Sequence, residues 1–206
     1  MILKRLKLAT NARHRALEDQ LPLMQANLSH EDYCRVLSGF FGFYAPLEIQ
    51  LMNSPYWQQL PFDYADRQKT PRLKQDLLAL GLSPWALAKT PLCAVLPDLN
   101  APEQLLGCLY VIEGATLGGR HITQHLQNRM GLTPESGGSF FDGYGAQTGT
   151  RWKVFCTMLL ANTGNADDEA RDAVIVAAAN STFQTLTQWL FPTCSRIAAT
   201  HEPKPA

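Results

Sequence analysis

Apolar and small residues near the start of the chain fall at steps of three and four: Leu3, Leu6, Thr10, His14, Leu17 and Leu21. That spacing puts them on one face of an α-helix over about residues 2 to 20, with His14 turned inward. Ser29 followed by Asp32 has the form of a capping box. It opens a second helix to about residue 52, on which Tyr33, Leu37, Phe40, Tyr44, Leu47 and Leu51 form a broad apolar stripe. A connection rich in proline and aromatic residues, SPYWQQLPFDYADRQ, follows. Thr70-Pro71 then offers an N-cap with proline at the first helical position, leading into RLKQDLLAL and a stop at Gly81. Prolines at 84, 91, 97 and 102 cut the next stretch into short pieces. From Pro102 the segment LLGCLYVIEGATLGGRHITQHLQNRM predicts one long helix ending at Gly131. The glycine-rich TPESGGSFFDGYGAQTGT is expected to be irregular, and helices follow over about 150 to 162 and 167 to 191, closed by Pro192. Strand-like alternation is nearly absent, so the expected class is all-α. A single helical bundle over residues 1–195 with a flexible tail over 196–206 fits the length.

Composition narrows the function. Lys plus Arg and Asp plus Glu both number 18, so no long-range field draws in nucleic acid or an anionic membrane. Polar residues interrupt every apolar run before it reaches the roughly 20 residues of a membrane span. No secretory signal is read at the start, and five scattered cysteines without paired spacing fit reduced thiols, so a cytoplasmic location is expected.

His14 and Glu18 lie one helical turn apart on the same face. The carboxylate can accept a hydrogen bond from one ring nitrogen and leave the other free, which is the arrangement an axial metal-ligating imidazole needs. The same spacing also serves as a plain stabilising pair. Gly114, Gly118 and Gly119 stand inside a predicted helix, where three glycines cost on the order of 3 kcal/mol relative to alanine. Close approach of a flat ligand to the bare backbone, or of a second helix, offsets such a cost. His121 and His125 form another pair one turn apart, but no third ligand accompanies them.

Taken in order, KLATNARHRALE, GFYAPLE, LYVIEGATLGG and FFDGYG followed by RWKVF resemble the haem oxygenases, especially the bacterial enzymes that supply biliverdin to phytochromes. The likeness spans about residues 3 to 190. It implies a haem held between a proximal helix bearing His14 as iron ligand, oriented by Glu18, and a kinked distal helix carrying Gly114, Gly118 and Gly119. Lys7 and Thr10 match family positions ahead of the proximal histidine, Lys7 being placed to reach a haem propionate. Lys153, with Arg151 nearby, matches a second propionate-binding position, and Phe183 an aromatic residue that closes the pocket. Many family members have an aspartate directly after the first distal glycine, where it organises water. Here Ala115 stands in its place, which leaves Thr116 and carbonyls exposed at the glycine bend for that task.

The implied activity is oxidative opening of haem, both substrate and prosthetic group, to biliverdin with release of carbon monoxide and ferrous iron. Electrons come from an external reductase or ferredoxin, and a bacteriophytochrome is an expected biliverdin acceptor. Two rivals stand beside it. A haem sensor or carrier that leaves the ring intact is favoured by Ala115. A helical enzyme of thiaminase type, using a cysteine nucleophile, would take up no haem.

Overall fold

A computed structural model of the chain describes residues 1–163 and 169–192. The expected tail from residue 196, the last residues of the expected domain and the start of the last predicted helix lie outside the described residues. Helices α1 (Ile2–Gln20), α2 (His30–Met52), α3 (Thr70–Ala79), α4 (Pro84–Ala88) and α5 (Pro102–Gly114) come first. They are followed by α6 (Gly119–Met130), α7 (Ser139–Asp142), α8 (Thr148–Ala161) and α9 (Glu169–Leu190). Among the described residues no strand occurs, and the helices form one all-α bundle around a shared core.

The centre of the bundle is α5 against α9, flanked by α1 on α9 and α2 on α3. Residues Leu105 to Leu109 and Val111 to Glu113 are all buried, so α5 is apolar nearly all round, as a central helix must be. Gly107 makes this possible: a Cβ there would sit 2.4 Å from the Ile175 carbonyl oxygen, so only a bare backbone lets α5 lie this close to α9.

Helix ends explain where sequence and structure agree and differ. The Ser29 side chain accepts from Asp32 N at 3.0 Å, as the capping pattern predicts. Pro46 falls inside α2, where it removes the amide that would bond the Gly42 carbonyl. Cys93 N reaches across and supplies the missing donor at 2.8 Å, so the helix continues unbroken. Thr70 does not act as the cap of α3. The helix is capped from α2 instead: the Glu48 carboxylate accepts from Lys69 N at 2.6 Å and Thr70 N at 2.9 Å.

The predicted long helix from Pro102 to Gly131 is two helices. It breaks at a 3₁₀ turn, Ala115–Leu117, which bends the chain between α5 and α6. Gly131, at φ +67°, ends α6 as expected. The segment expected to be irregular contains α7. Buried Asp76 caps it, accepting from Ser139 N at 2.9 Å, Ser139 Oγ at 2.7 Å and Phe140 N at 2.7 Å. That tie from α3 fixes Phe140 and Phe141, which matter to the site.

Candidate functional site

A cavity of about 450 Å³ opens between α1 and the bend joining α5 to α6, within the range of about 300–1,000 Å³ typical of small-molecule sites. Most of its wall is apolar. Leu17 and Leu21 come from α1, Phe140 and Phe141 from α7, and Phe183 and Leu186 from α9.

On the α1 side, His14 lines the cavity rather than packing into the core, and its side chain is half exposed. Its Nε2 lies 3.3 Å from Glu18 Oε1, so the carboxylate takes one ring nitrogen and leaves the other uncommitted. Phe183 backs the imidazole, with ring centroids 5.5 Å apart. Lys7, Thr10 and Glu18 line the same wall. The Thr10 hydroxyl donates back to the Leu6 carbonyl at 2.8 Å, so its proton is spent within the helix rather than offered to the cavity.

The bend supplies the other wall, with Gly114, Ala115, Thr116, Leu117 and Gly118 all lining the cavity. A Cβ on Gly118 would meet no atom within 4 Å, so this backbone faces open space. A Cβ on Gly114 would make ordinary contact with Trp152 at 3.6 Å. The Thr116 hydroxyl donates to the Glu113 carbonyl at 2.7 Å, which turns its hydrogen away from the cavity.

Three predicted site residues lie elsewhere. Gly119 does not line the cavity: a Cβ there would fall 1.8 Å from the Phe141 carbonyl oxygen, so its bareness serves the packing of α6 on α7. Arg151 sits behind the wall, over the Tyr144 ring at 4.7 Å, and donates to the Asp66 carbonyl at 3.1 Å. Lys153 is exposed on α8, one position beyond Trp152, and takes no part in the lining. The reason is helical phase: Trp152 occupies the inward position, so its neighbours on either side point away.

Sequence reasoning missed the polar wall. Arg67, Lys69, Arg72 and Tyr144 all line the cavity. Behind them the buried carboxylate of Glu113 takes Arg67 Nη1 at 2.5 Å, the Lys69 ammonium, and the Tyr144 hydroxyl at 2.8 Å. A second carboxylate, Glu48, takes the Tyr64 hydroxyl at 2.8 Å beside the Lys69 and Thr70 amides. Burial pulls the Lys69 ammonium below the ordinary lysine range against the opposing pull of Glu113. Burial, reinforced by Glu113, pushes the Tyr144 hydroxyl above the ordinary tyrosine range. The only sequence signal was a lone carboxylate in the apolar run LYVIEG, since a buried charge requires partners.

A flat apolar body with anionic edges, able to accept an axial nitrogen, suits such a cavity. The Heme oxygenase family model matches residues 1–191 of the chain. The chain belongs to the haem oxygenase family. It is 32% identical over 114 residues to a heme oxygenase of Xanthomonas campestris pv. campestris, an alignment covering 52% of this chain and 61% of that protein. The fold matches that of the heme oxygenase from Neisseria meningitidis, with a TM-score of 0.75 at 20% identity over 100% of this chain and 99% of the other. It also matches that of the enzyme from Leptospira interrogans, with a TM-score of 0.72 at 17% identity, covering 92% and 98% of the two chains. Heme oxygenase-1 of Synechocystis, solved in complex with heme, gives a TM-score of 0.68 at 19% identity, covering 92% and 90%. No helix among the described residues is long and apolar enough to cross a membrane, as the sequence predicted.

Proposed function

We propose that this haem oxygenase family member opens haem to biliverdin, releasing carbon monoxide and ferrous iron, with electrons from an external reductase or ferredoxin. The observation that carries the reading is His14, held at one nitrogen by Glu18 and backed by Phe183, lining the same cavity as a backbone bend without side chains. When bound, haem supplies both the redox-active iron and the ring that is oxidised.

The chain's own residues then do the following. His14 would hold the iron from α1, and Glu18, 3.3 Å from its Nε2, would orient the ring. Gly118 leaves the space beside the bend free of protein atoms, room that a macrocycle and a small gas need. Phe140, Phe141 and Phe183 exclude bulk water, which keeps reactive species from leaking. Lys7 and Arg72 neutralise carboxylates at the cavity edges, since neither has a carboxylate within ion-pair distance among the described residues. A cytoplasmic setting would supply the reductase and a biliverdin acceptor such as a bacteriophytochrome.

Titration with hemin followed by addition of oxygen and a reductant tests the reading. Loss of the Soret band with chromatographic recovery of biliverdin is the expected result. Stable ferric haem would leave a carrier or sensor of the same fold, a reading that the absence of any ionisable side chain at Ala115 favours. No uptake would remove both. His14→Ala should abolish the histidine-haem spectrum while the helical circular dichroism stays nearly unchanged.

A further inference from the structure

The oxidative opening proposed above consumes protons as well as electrons, so the cavity needs a route by which protons arrive beside the bend. The bend itself supplies none. Gly114, Ala115, Leu117 and Gly118 have no ionisable group, and the Thr116 hydroxyl is committed to the Glu113 carbonyl. Groups able to carry a proton stand in the polar wall, joined to the bend through Glu113.

We propose that Lys69 and Tyr144, positioned by the buried carboxylate of Glu113, form the proton relay of this cavity. Three observations carry this, together with the reading it deepens. Lys69 Nζ donates to the Tyr144 hydroxyl oxygen at 2.9 Å, which gives a direct proton connection between two cavity-lining residues. Glu113 immediately precedes Gly114 and accepts from both of them, so the relay is tied to the helix that makes the bend. The neighbouring Gly143 rests on the bend, where its Cβ would be 3.4 Å from Thr116 Cβ, and this seats Tyr144 beside it.

The cluster is not explained by stability. Glu113, Lys69 and Arg67 are all buried, and such ion clusters are often no better for stability than apolar residues of the same volume. Of the two Glu113 oxygens Arg67 takes Oε2, and Oε1 is left to Lys69 and Tyr144. In the transfer, the Tyr144 hydroxyl swings its proton from Glu113 Oε1 to a water in the cavity as it takes one from the Lys69 ammonium. Lys69 is left neutral, and solvent returns its proton. Burial lowers the proton affinity of Lys69, which makes the neutral form accessible. The charged and titratable groups facing Lys69 are Glu113 from α5, Glu48 from α2, Tyr64 and Arg67 from the connection before α3, and Tyr144 ahead of α8.

The test uses the full chain loaded with hemin, in four variants: Tyr144→Phe, Lys69→Met, Lys69→Arg and Glu113→Gln. Circular dichroism and Soret uptake establish that each variant folds and loads. The first readout is the pH at which the ferric haem complex changes its spectrum, which follows the charge facing the iron. Lys69→Met should raise that pH and Glu113→Gln should lower it, each by about half to one unit. Opposite signs establish that the charges of the cluster are felt at the iron, and the second readout separates a relay from a purely structural cluster. The second readout is biliverdin formed per electron consumed. Tyr144→Phe, which removes a single oxygen atom, should cut it by about tenfold or more and divert electrons to hydrogen peroxide, while Lys69→Arg should restore most of what Lys69→Met loses.

Equal biliverdin yield from Tyr144→Phe and the parent chain would overturn the relay alone. So would shifts of the same sign for Lys69→Met and Glu113→Gln. If the charge variants fail to fold, the Tyr144→Phe yield decides. No pigment from the parent chain would instead overturn the haem-opening reading on which the relay rests.

Discussion

Gly118 and Gly119 are neighbours in sequence, yet the structure gives them opposite reasons for lacking a side chain. A Cβ at Gly119 would stand 1.8 Å from the Phe141 carbonyl oxygen and 3.0 Å from its carbon, both of them backbone atoms tied to α7. Relief needs α6 to move away from α7 by more than about 1 Å, and overpacking of that kind costs typically about 1–3 kcal/mol. A backbone atom at 1.8 Å puts the cost at the upper end, about 3 kcal/mol, and alanine in a helix returns up to about 1 kcal/mol of propensity, so Gly119→Ala should lose about 2 kcal/mol net. For a chain of this length that lowers Tm by about 4–8 °C. Gly118 has nothing within 4 Å, and its φ of −75° suits any residue. Gly118→Leu should therefore keep the stability within about 1 kcal/mol of the parent. Its side chain, however, enters the cavity and should weaken hemin binding by at least about tenfold, or about 1.4 kcal/mol. Urea denaturation followed by circular dichroism reads the first effect, and Soret titration the second. Gly119→Ala as stable as the parent, or Gly118→Leu with undiminished hemin affinity, would refute the reasoning.

Other outcomes follow from the same geometry. Asp76→Ala leaves the Ser139 and Phe140 amides unpaired and should cost about 2–4 kcal/mol in urea unfolding, so an unchanged midpoint would deny its part in placing α7. Lys7→Glu should weaken hemin binding and make it less sensitive to salt, whereas Lys153→Glu on the outer face of α8 should leave the affinity unaltered. Soret titrations at two ionic strengths separate them. Burial pushes the Cys108 thiol up to about 12, so the thiolate is scarce well below that pH and grows only as pH approaches it. Iodoacetamide at pH 8 should accordingly leave Cys108 unmodified in the folded chain and label it after denaturation, as read by peptide mass spectrometry.

The extents of α1 and α2, and the faces those two helices bury, were written in the order of residues. The steps of three and four through Leu3, Leu6, Thr10 and Leu17, the Ser29 cap and the Gly131 stop are local signals, and short-range backbone physics reads them without help from the rest of the chain. The His14–Glu18 pair was legible for the same reason, since one helical turn sets its geometry.

What tertiary structure alone decided depends on residues far apart in the chain. Glu48 caps α3 from α2, and Cys93 repairs the bond that Pro46 removes, so neither helix end could be assigned from its own neighbourhood. Gly118 and Gly119 look alike in sequence and differ only because Phe141 lies against one of them. Arg67 and Tyr144 sit in stretches that read as irregular connections and Lys69 just ahead of α3, and only the fold brings them 31 to 46 positions along the chain to Glu113. A buried carboxylate announces that partners must exist, because leaving water costs several kcal/mol, but it carries no record of which residues they are.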